Sequence, residues 1–217
     1  STVYRGTQFE HRSRALLQEQ LSMSLYRVGG KGDGGVDLQG WWWLPDGKLF
    51  SEDVSFKDGD GCSRRRIRVL AQCKAERKKM GPNYVREMEG VLHRHVYSMN
   101  SNAPLREAVP IVALLISESS FTKAAIMRVL SSPVPFLLIH LPPSEGPLDS
   151  EEHDRVGSAL WNPALSGEAG ILKGEFELRW ERPLTTPGTK PIIASDGRPG
   201  LWWRGVKLRS WTPEEES

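Results

Sequence analysis

Cysteine is scarce in this chain: Cys62 and Cys73 are the only two among 217 residues. Two thiols cannot form a disulfide framework. Without several suitably spaced histidines they cannot complete a four-ligand zinc site either, and a reducing compartment is the plain inference. Long apolar runs are lacking too. No stretch approaches the ~18 apolar residues that span a bilayer, so no membrane partner is expected. The longest runs, at 111–116 and 134–141, have the length of buried strands. Charge of one sign is also missing: the formal net charge is +2, so a polyanionic partner has to be argued from local distribution. No internal repeat is visible. The chain opens on Ser1 with no initiator methionine, which reads as a trimmed chain whose targeting peptide is already gone.

What is present suits one soluble globular domain with an elaboration: 38% of residues are hydrophobic and 26% charged. Residues 8–26 place Phe9, Leu16, Leu17, Leu21 and Leu25 near helical spacing, which predicts an amphipathic helix. A glycine-rich loop follows at 28–35, then strand formers at 36–44, a Pro45-Asp46-Gly47 turn, a second possible strand at 48–56, another turn at 57–61 and a third strand at 67–74. Pro82 suits a helix start, and Val85, Met88, Leu92, Val96 and Met99 stripe a helix over 83–100. A strand at 111–116, a helix at 121–130 and a strand at 134–140 complete this unit. The order predicts an α/β core with a mixed sheet flanked by helices. Residues 142–156 read as linker. Residues 157–217, with strand-like pieces at 174–180 and 201–208, read as a β-rich extension packed on a core of 1–141. The acidic tail at 213–217 reads as frayed.

The central constellation is Asp37 on one strand with Gln72 and Lys74 on another. Strand residues two apart share a face, so Gln72 and Lys74 point together while Cys73 points away. An adjacent strand would let Asp37 meet them. A carboxylate, an amide oxygen and a lysine at one sheet surface suit phosphodiester hydrolysis. Mg²⁺ (or Mn²⁺) takes oxygen ligands: Asp37 would anchor it, with the Gln72 amide and the Cys73 main-chain carbonyl adding neutral oxygens. Lys74 would orient water or offset charge growing on the phosphate. Singly, each residue has a blander reading, the Asp as a turn residue and the Lys as a solvent-facing strand residue.

Several segments in order add context. GDGGVDLQG at 32–40, AQCKA at 71–75, Phe9-Glu10, VALLIS at 112–117, FTKAA at 121–125 and the strand at 135–140 together resemble the Mrr-like branch of the PD-(D/E)xK nuclease superfamily, over roughly 4–141. Within it the chain is most similar to a family of fungal mitochondrial proteins required for respiratory growth. The resemblance implies a restriction-endonuclease-like core with a β-rich C-terminal elaboration, a metal-binding Asp37, the motif lysine Lys74, and Gln72 where most relatives carry a second acid. It implies that Glu10 joins the site from the first helix as a catalytic and metal-binding residue, and it implies a mitochondrial matrix location. Asp33 reads as structural in its glycine-rich loop. Residues 41–66 are expected to add a hairpin insertion.

For substrate, Arg64, Arg65, Arg66, Arg68, Arg77, Lys78 and Lys79 crowd either side of the motif against Glu76 alone. They are expected to touch nucleic-acid phosphates, with Lys123 joining them; a solvated charged surface is the blander alternative. Trp41, Trp42, Trp43, Trp202 and Trp203 suit base stacking but are more simply core or interface packing. His93 and His95 point apart and form no metal pair. Thr122 suits a helix start or a phosphate contact. The expected function is Mg²⁺-dependent hydrolysis of DNA phosphodiesters, with RNA an open substrate and a homodimer an open assembly. The alternatives are a non-catalytic nucleic-acid-binding module derived from a nuclease and a structural interaction subunit.

Overall fold

The computed structural model describes residues 2–28, 35–46, 56–57, 63–102, 109–143, 156–181 and 198–213. Asp33, Cys62, most of the strand expected at 48–56, most of the 142–156 linker and residues 214–217 lie outside the described residues.

The first helix, α1 (Thr2–Leu21), buries Phe9, Leu16, Leu17 and Leu21. It stops where Ser22 takes a left-handed backbone (φ 59), a conformation that costs a non-glycine residue about 1–2 kcal/mol. Three contacts hold it there. The Ser22 N–H donates to Ser210 Oγ at 2.8 Å, its carbonyl accepts the Trp43 N–H at 2.9 Å, and its hydroxyl accepts the Trp211 N–H at 3.0 Å. Strand β1 (Met23–Arg27) follows at once, burying Met23 and Leu25 in alternation. The helix predicted to run to residue 26 is therefore a helix and a strand. Leu17, Leu21 and Leu25 keep four-residue spacing through the break, so periodicity alone reads straight across it.

Strands β2 (Leu38–Pro45), β3 (Phe56–Lys57), β4 (Ser63–Lys74), β5 (Ile111–Ser117), β6 (Phe136–His140) and β7 (Ser158–Trp161) complete a seven-stranded mixed sheet in the order β1-β2-β4-β5-β6-β7, with β3 pairing to β4. The β1/β2, β2/β4 and β6/β7 pairs are antiparallel; β4/β5 and β5/β6 are parallel. The α/β expectation with a mixed sheet holds. The sheet does not end at residue 141, however, because β7 adds a further strand beyond it. A four-residue strand carries too little alternation to be read from sequence. In its described part the expected hairpin at 41–66 is the outer run of antiparallel β2 and β4, paired to Pro45 and Arg64, with β3 pairing antiparallel to β4 at Ser63 and Arg64.

Each sheet face has its own core. On one, Ile67, Val69, Ala71 and Cys73 of β4 pack with α1 and with residues of a second, three-stranded sheet, β8 (Phe176–Glu181), β9 (Arg198–Trp203) and β10 (Val206–Lys207). On the other, Leu70 packs with Val85, Met88 and Leu92 of α2 (Pro82–Asn102) and with Ala125 and Val129 of α3 (Lys123–Leu130). Thr122 caps α3, its hydroxyl accepting the Ala125 N–H at 3.2 Å. The short α4 (Pro163–Ser166) is capped by Asn162. Buried Asn162 donates to the carbonyls of Val129, Ser132 and Val134 and accepts from the Phe136 and Leu165 N–H groups, which joins α3, β6 and α4 at one point.

Candidate functional site

The β2/β4 pairing brings Asp37 to the end of β4. Leu38 sits opposite Ala71, and one residue earlier the Asp37 N–H donates to the Ala71 carbonyl at 2.9 Å. The next rung uses the side chain: Asp37 Oδ2 accepts the Cys73 N–H at 2.7 Å. Backbone groups of even-numbered β4 residues turn toward β5, since the Arg68 N–H reaches Pro110 and the Lys74 carbonyl accepts from Glu118. Odd-numbered ones turn toward β2. The Cys73 carbonyl, on the same side as its N–H, therefore faces the side that holds the Asp37 carboxylate. The Cys73 side chain packs under α1. Burial, then the Asp37 and Glu10 carboxylates, push its thiol well above the usual range, which makes it inert as a nucleophile.

Gln72 and Lys74 turn to the α2 side. Gln72 is 1% exposed, and its Oε1 is buried with no hydrogen-bond donor among the described residues. Lys74 holds its ammonium 5.6 Å from the ring centre of Tyr84 on α2. The Tyr84 hydroxyl donates to the Glu76 carboxylate at 3.3 Å; burial, then Glu76 and Glu87, raise its pKa. Gly35 closes the group from the loop before Asp37. Its φ of 89° favours glycine, and a Cβ there would stand 3.0 Å from Glu87 Oε1 and 3.3 Å from Gln72 Nε2. Asp37, Gln72 and Lys74 are thus brought to one end of the sheet. Tyr84 and Glu87 are additional members that sequence reasoning missed. Their spacing of three puts them on one face of α2, but nothing in the sequence tells that this turn of the helix lies over the end of β4.

Glu10 lies on the opposite face of the sheet, its partner Arg27 pairing opposite Leu38, next to Asp37. It lies on α1, across the sheet from Gln72 and Lys74, and its Oε2 accepts from Arg27 Nε at 2.5 Å. Its carboxylate acts on the Cys73 thiol from that side. Among the described residues no three His, Cys, Asp or Glu residues stand together as a metal-holding group. The donors at the end of β4 are instead a carboxylate, a main-chain carbonyl and the orphaned Gln72 Oε1. An all-oxygen set with a buried acceptor lacking a donor fits a hard cation such as Mg²⁺ or Mn²⁺.

The arginine run divides in two. A strand rises ~3.3 Å per residue, so Arg68 stands roughly 20 Å, and Arg64 roughly 33 Å, from Lys74 along β4. Residues 64–68 therefore do not flank the site; adjacency in sequence became distance along a strand. Arg64 is 7% exposed and sits 5.6 Å over the Trp211 ring, packed inward rather than presented to a substrate. Arg65 donates to the Ile171 carbonyl at 3.4 Å, and burial lowers its pKa against the pull of Asp46 and Glu175. Arg66 and Arg68 stack on Trp41 at 4.2 and 4.9 Å, and Arg68 also donates to Gln39 Oε1 at 3.0 Å. By contrast, exposed Arg77, Lys78 and Lys79 follow directly on β4. The Met80–Phe121 bridge sets their segment beside that of exposed Lys123, at the same end as Asp37 and Lys74.

The tryptophans are chiefly packing groups. Trp42 is fully buried. Trp43 is buried, donates to Ser24 Oγ at 2.7 Å and meets Trp211 edge-on. Trp202 lies under Arg179, and Trp203 stacks on Phe176. His93 is exposed; His95 has its pKa lowered by burial and by Arg68.

A family profile described as "Required for respiratory growth protein 7" matches residues 1–165. An uncharacterised mitochondrial protein of Schizosaccharomyces pombe is 37% identical over 92 residues, 42% of this chain and 31% of that protein. The mitochondrial required for respiratory growth protein 7 of Zygosaccharomyces rouxii is 25% identical over 199 residues, 80% of this chain and 78% of that protein. The chain thus aligns with about a third of the first relative's length and nearly four fifths of the second's. No solved structure matches.

Proposed function

The chain belongs to the family of Required for respiratory growth protein 7, and from that premise we propose that it is a metal-dependent nuclease of the PD-(D/E)xK type, with a restriction-endonuclease-like core. In this reading it hydrolyses DNA phosphodiesters in mitochondria, in the matrix, in the upkeep of mitochondrial DNA. The mitochondrial part follows from the names of both relatives. The observation that carries the chemical part is the join at the end of β4, where the Asp37 carboxylate, bound to the Cys73 N–H, meets a strand presenting Gln72 and Lys74 on one face.

Asp37, Gln72 Oε1 and the Cys73 carbonyl would hold Mg²⁺ or Mn²⁺. Such an ion supplies Lewis-acid polarisation of a phosphoryl oxygen. The protein's own groups do the rest. The Cys73 N–H fixes the Asp37 carboxylate, so no reorganisation is needed when substrate arrives. Lys74 places an ammonium where negative charge grows on the phosphate, and the Tyr84 ring face steadies that ammonium by cation–π attraction. Arg77, Lys78, Lys79 and Lys123 lie where the flanking phosphates would pass, and each phosphate they neutralise strengthens binding in a salt-dependent way.

The test is cleavage of labelled single-stranded DNA, duplex DNA and RNA with Mg²⁺, Mn²⁺ or chelator, comparing wild type with Asp37→Ala and Lys74→Ala. Metal-dependent cutting lost in both folded variants is the expected result. A second reading, a nuclease-derived module that holds nucleic acid without cutting it, draws on Glu10 being engaged by Arg27 and on the neutrality of Gln72. Salt-sensitive binding without cutting under any metal would decide for it and against the enzyme.

A further inference from the structure

We propose that Glu87, on α2, is the second carboxylate of the metal site and replaces the negative charge that Gln72 does not bring. The proposal rests on the reading of the end of β4 as a cation site. A divalent ion held by Asp37 and neutral oxygens alone keeps half of its charge uncompensated, and its affinity depends on how many anionic ligands surround it. A second carboxylate has to come from a neighbouring element, because Gln72 occupies the strand position and Glu10 is across the sheet with Arg27. Glu87 comes from the right direction. The point 3.0 Å from its Oε1, where a Gly35 Cβ would stand, is 3.3 Å from the Gln72 amide nitrogen. Glu87 and the nitrogen end of the Gln72 amide therefore border one small space beside the loop that delivers Asp37. Gln72 is all but fully buried, and its amide oxygen has no donor among the described residues, as expected of an oxygen that meets a cation rather than a hydrogen bond.

Two further features fit. Gly35 keeps this space clear, since any side chain would press on both Glu87 and Gln72 from a backbone that disfavours one. Tyr84, one turn before Glu87, already senses its charge and carries the Lys74 ammonium on its ring. The helix thus delivers an acid to the ion and an aromatic face to the lysine from residues three apart. In this arrangement the motif's acid has moved from strand to helix without leaving the site.

The experiment is Mn²⁺ binding to the full chain, read by the loss of free-ion paramagnetic resonance signal, for wild type, Asp37→Asn, Glu87→Gln, Glu10→Gln and the double variant Gln72→Glu/Glu87→Gln, each checked for folding by circular dichroism. The expected result is at least about a tenfold weaker affinity in Glu87→Gln, on the scale of losing a supporting group at a metal site. Glu10→Gln is expected to leave affinity unchanged, and the double variant to recover it. Wild-type affinity in Glu87→Gln alongside a loss in Asp37→Asn would overturn the role of Glu87 and leave the metal site standing. No recovery in a folded double variant would overturn it too. No Mn²⁺ binding by wild type would overturn the metal site itself and the role of Glu87 with it.

Discussion

The two ends of β4 both carry long polar side chains, and these have opposite fates. At the beginning of the strand, arginines are taken up by aromatic rings: Arg64 by Trp211, Arg66 and Arg68 by Trp41. At its end, Gln72 and Lys74 meet a carboxylate from β2, a helix face from α2 and a glycine that keeps space clear. The strand is regular throughout and the side chains alternate by the same rule, so local conformation does not distinguish the ends. Their neighbours do. Near the start β2 runs alongside and its tryptophans fill the space, whereas near the end β2 has stopped and the side chain of Asp37 makes the next rung in place of a backbone group. An arginine run is therefore a statement about packing or about ligands only once its partners are known.

That contrast is open to direct test. The largest expected effect is at the end: Asp37→Asn and Lys74→Ala should each lower the metal-dependent cleavage rate by at least about a hundredfold, the scale of losing one preorganised electrostatic group, measured as turnover at saturating DNA. Arg64→Ala should act on folding instead. It removes a buried side chain and its seat on a ring, so the urea midpoint should fall by an amount worth roughly 1–3 kcal/mol, with turnover of the folded protein intact. The Arg66→Ala/Arg68→Ala pair should leave turnover at saturation alone. If these two also touch DNA from their ring-held positions, the slope of log affinity against log salt should fall by about one for each phosphate left without its arginine. A collapse of turnover in that pair would merge the two ends into one site and break the contrast.

The smallest effect concerns the seating of α2 behind the site. Burial pushes the Glu89 carboxyl up, but hydrogen bonds from Arg128 and Ser132 prevail and hold its pKa below the usual 4.5. A carboxyl lowered in the folded state contributes stability that is present above 4.5 and lost as pH falls through its folded value. Unfolding midpoints followed from neutral pH downward should therefore fall more steeply in wild type than in Glu89→Gln. Parallel curves would remove Glu89 from the account.

Much of the α/β core could be read in advance, because β4, α2, β5, α3 and β6 are long enough for their periodicity to speak. Strands β1 and β7 could not. The first hides inside a leucine stripe that fits a helix equally well, and the second is four residues long. Within the candidate site, Asp37, Gln72 and Lys74 were legible because a strand fixes the relation of residues two apart. Glu87 and Tyr84 were not, since nothing in a sequence tells which turn of a helix will come to rest over a strand end. The arginines at 64–68 were misplaced for the complementary reason: closeness along an extended chain is not closeness in space.

The contacts of Ser22 with Ser210 and Trp211 join residues 188 and 189 positions apart, and they act as a buckle. Ser210 Oγ also donates to the Gln18 carbonyl at 2.7 Å, so the last described stretch of chain fastens the exit of the first helix. The buckle lies beyond residue 165, where the family match ends. A protein shortened to the matched length would keep Asp37, Gln72, Lys74 and Glu87 and lose the fastening, taking Trp211 from beside Trp43 and, from Ser22, two of the bonds that hold its unfavourable backbone. The mechanical order of this molecule thus runs from last to first. Its closing segment acts as a fastener that the early part of the chain relies on, and a protease nick there should loosen the beginning of the protein before it loosens the middle.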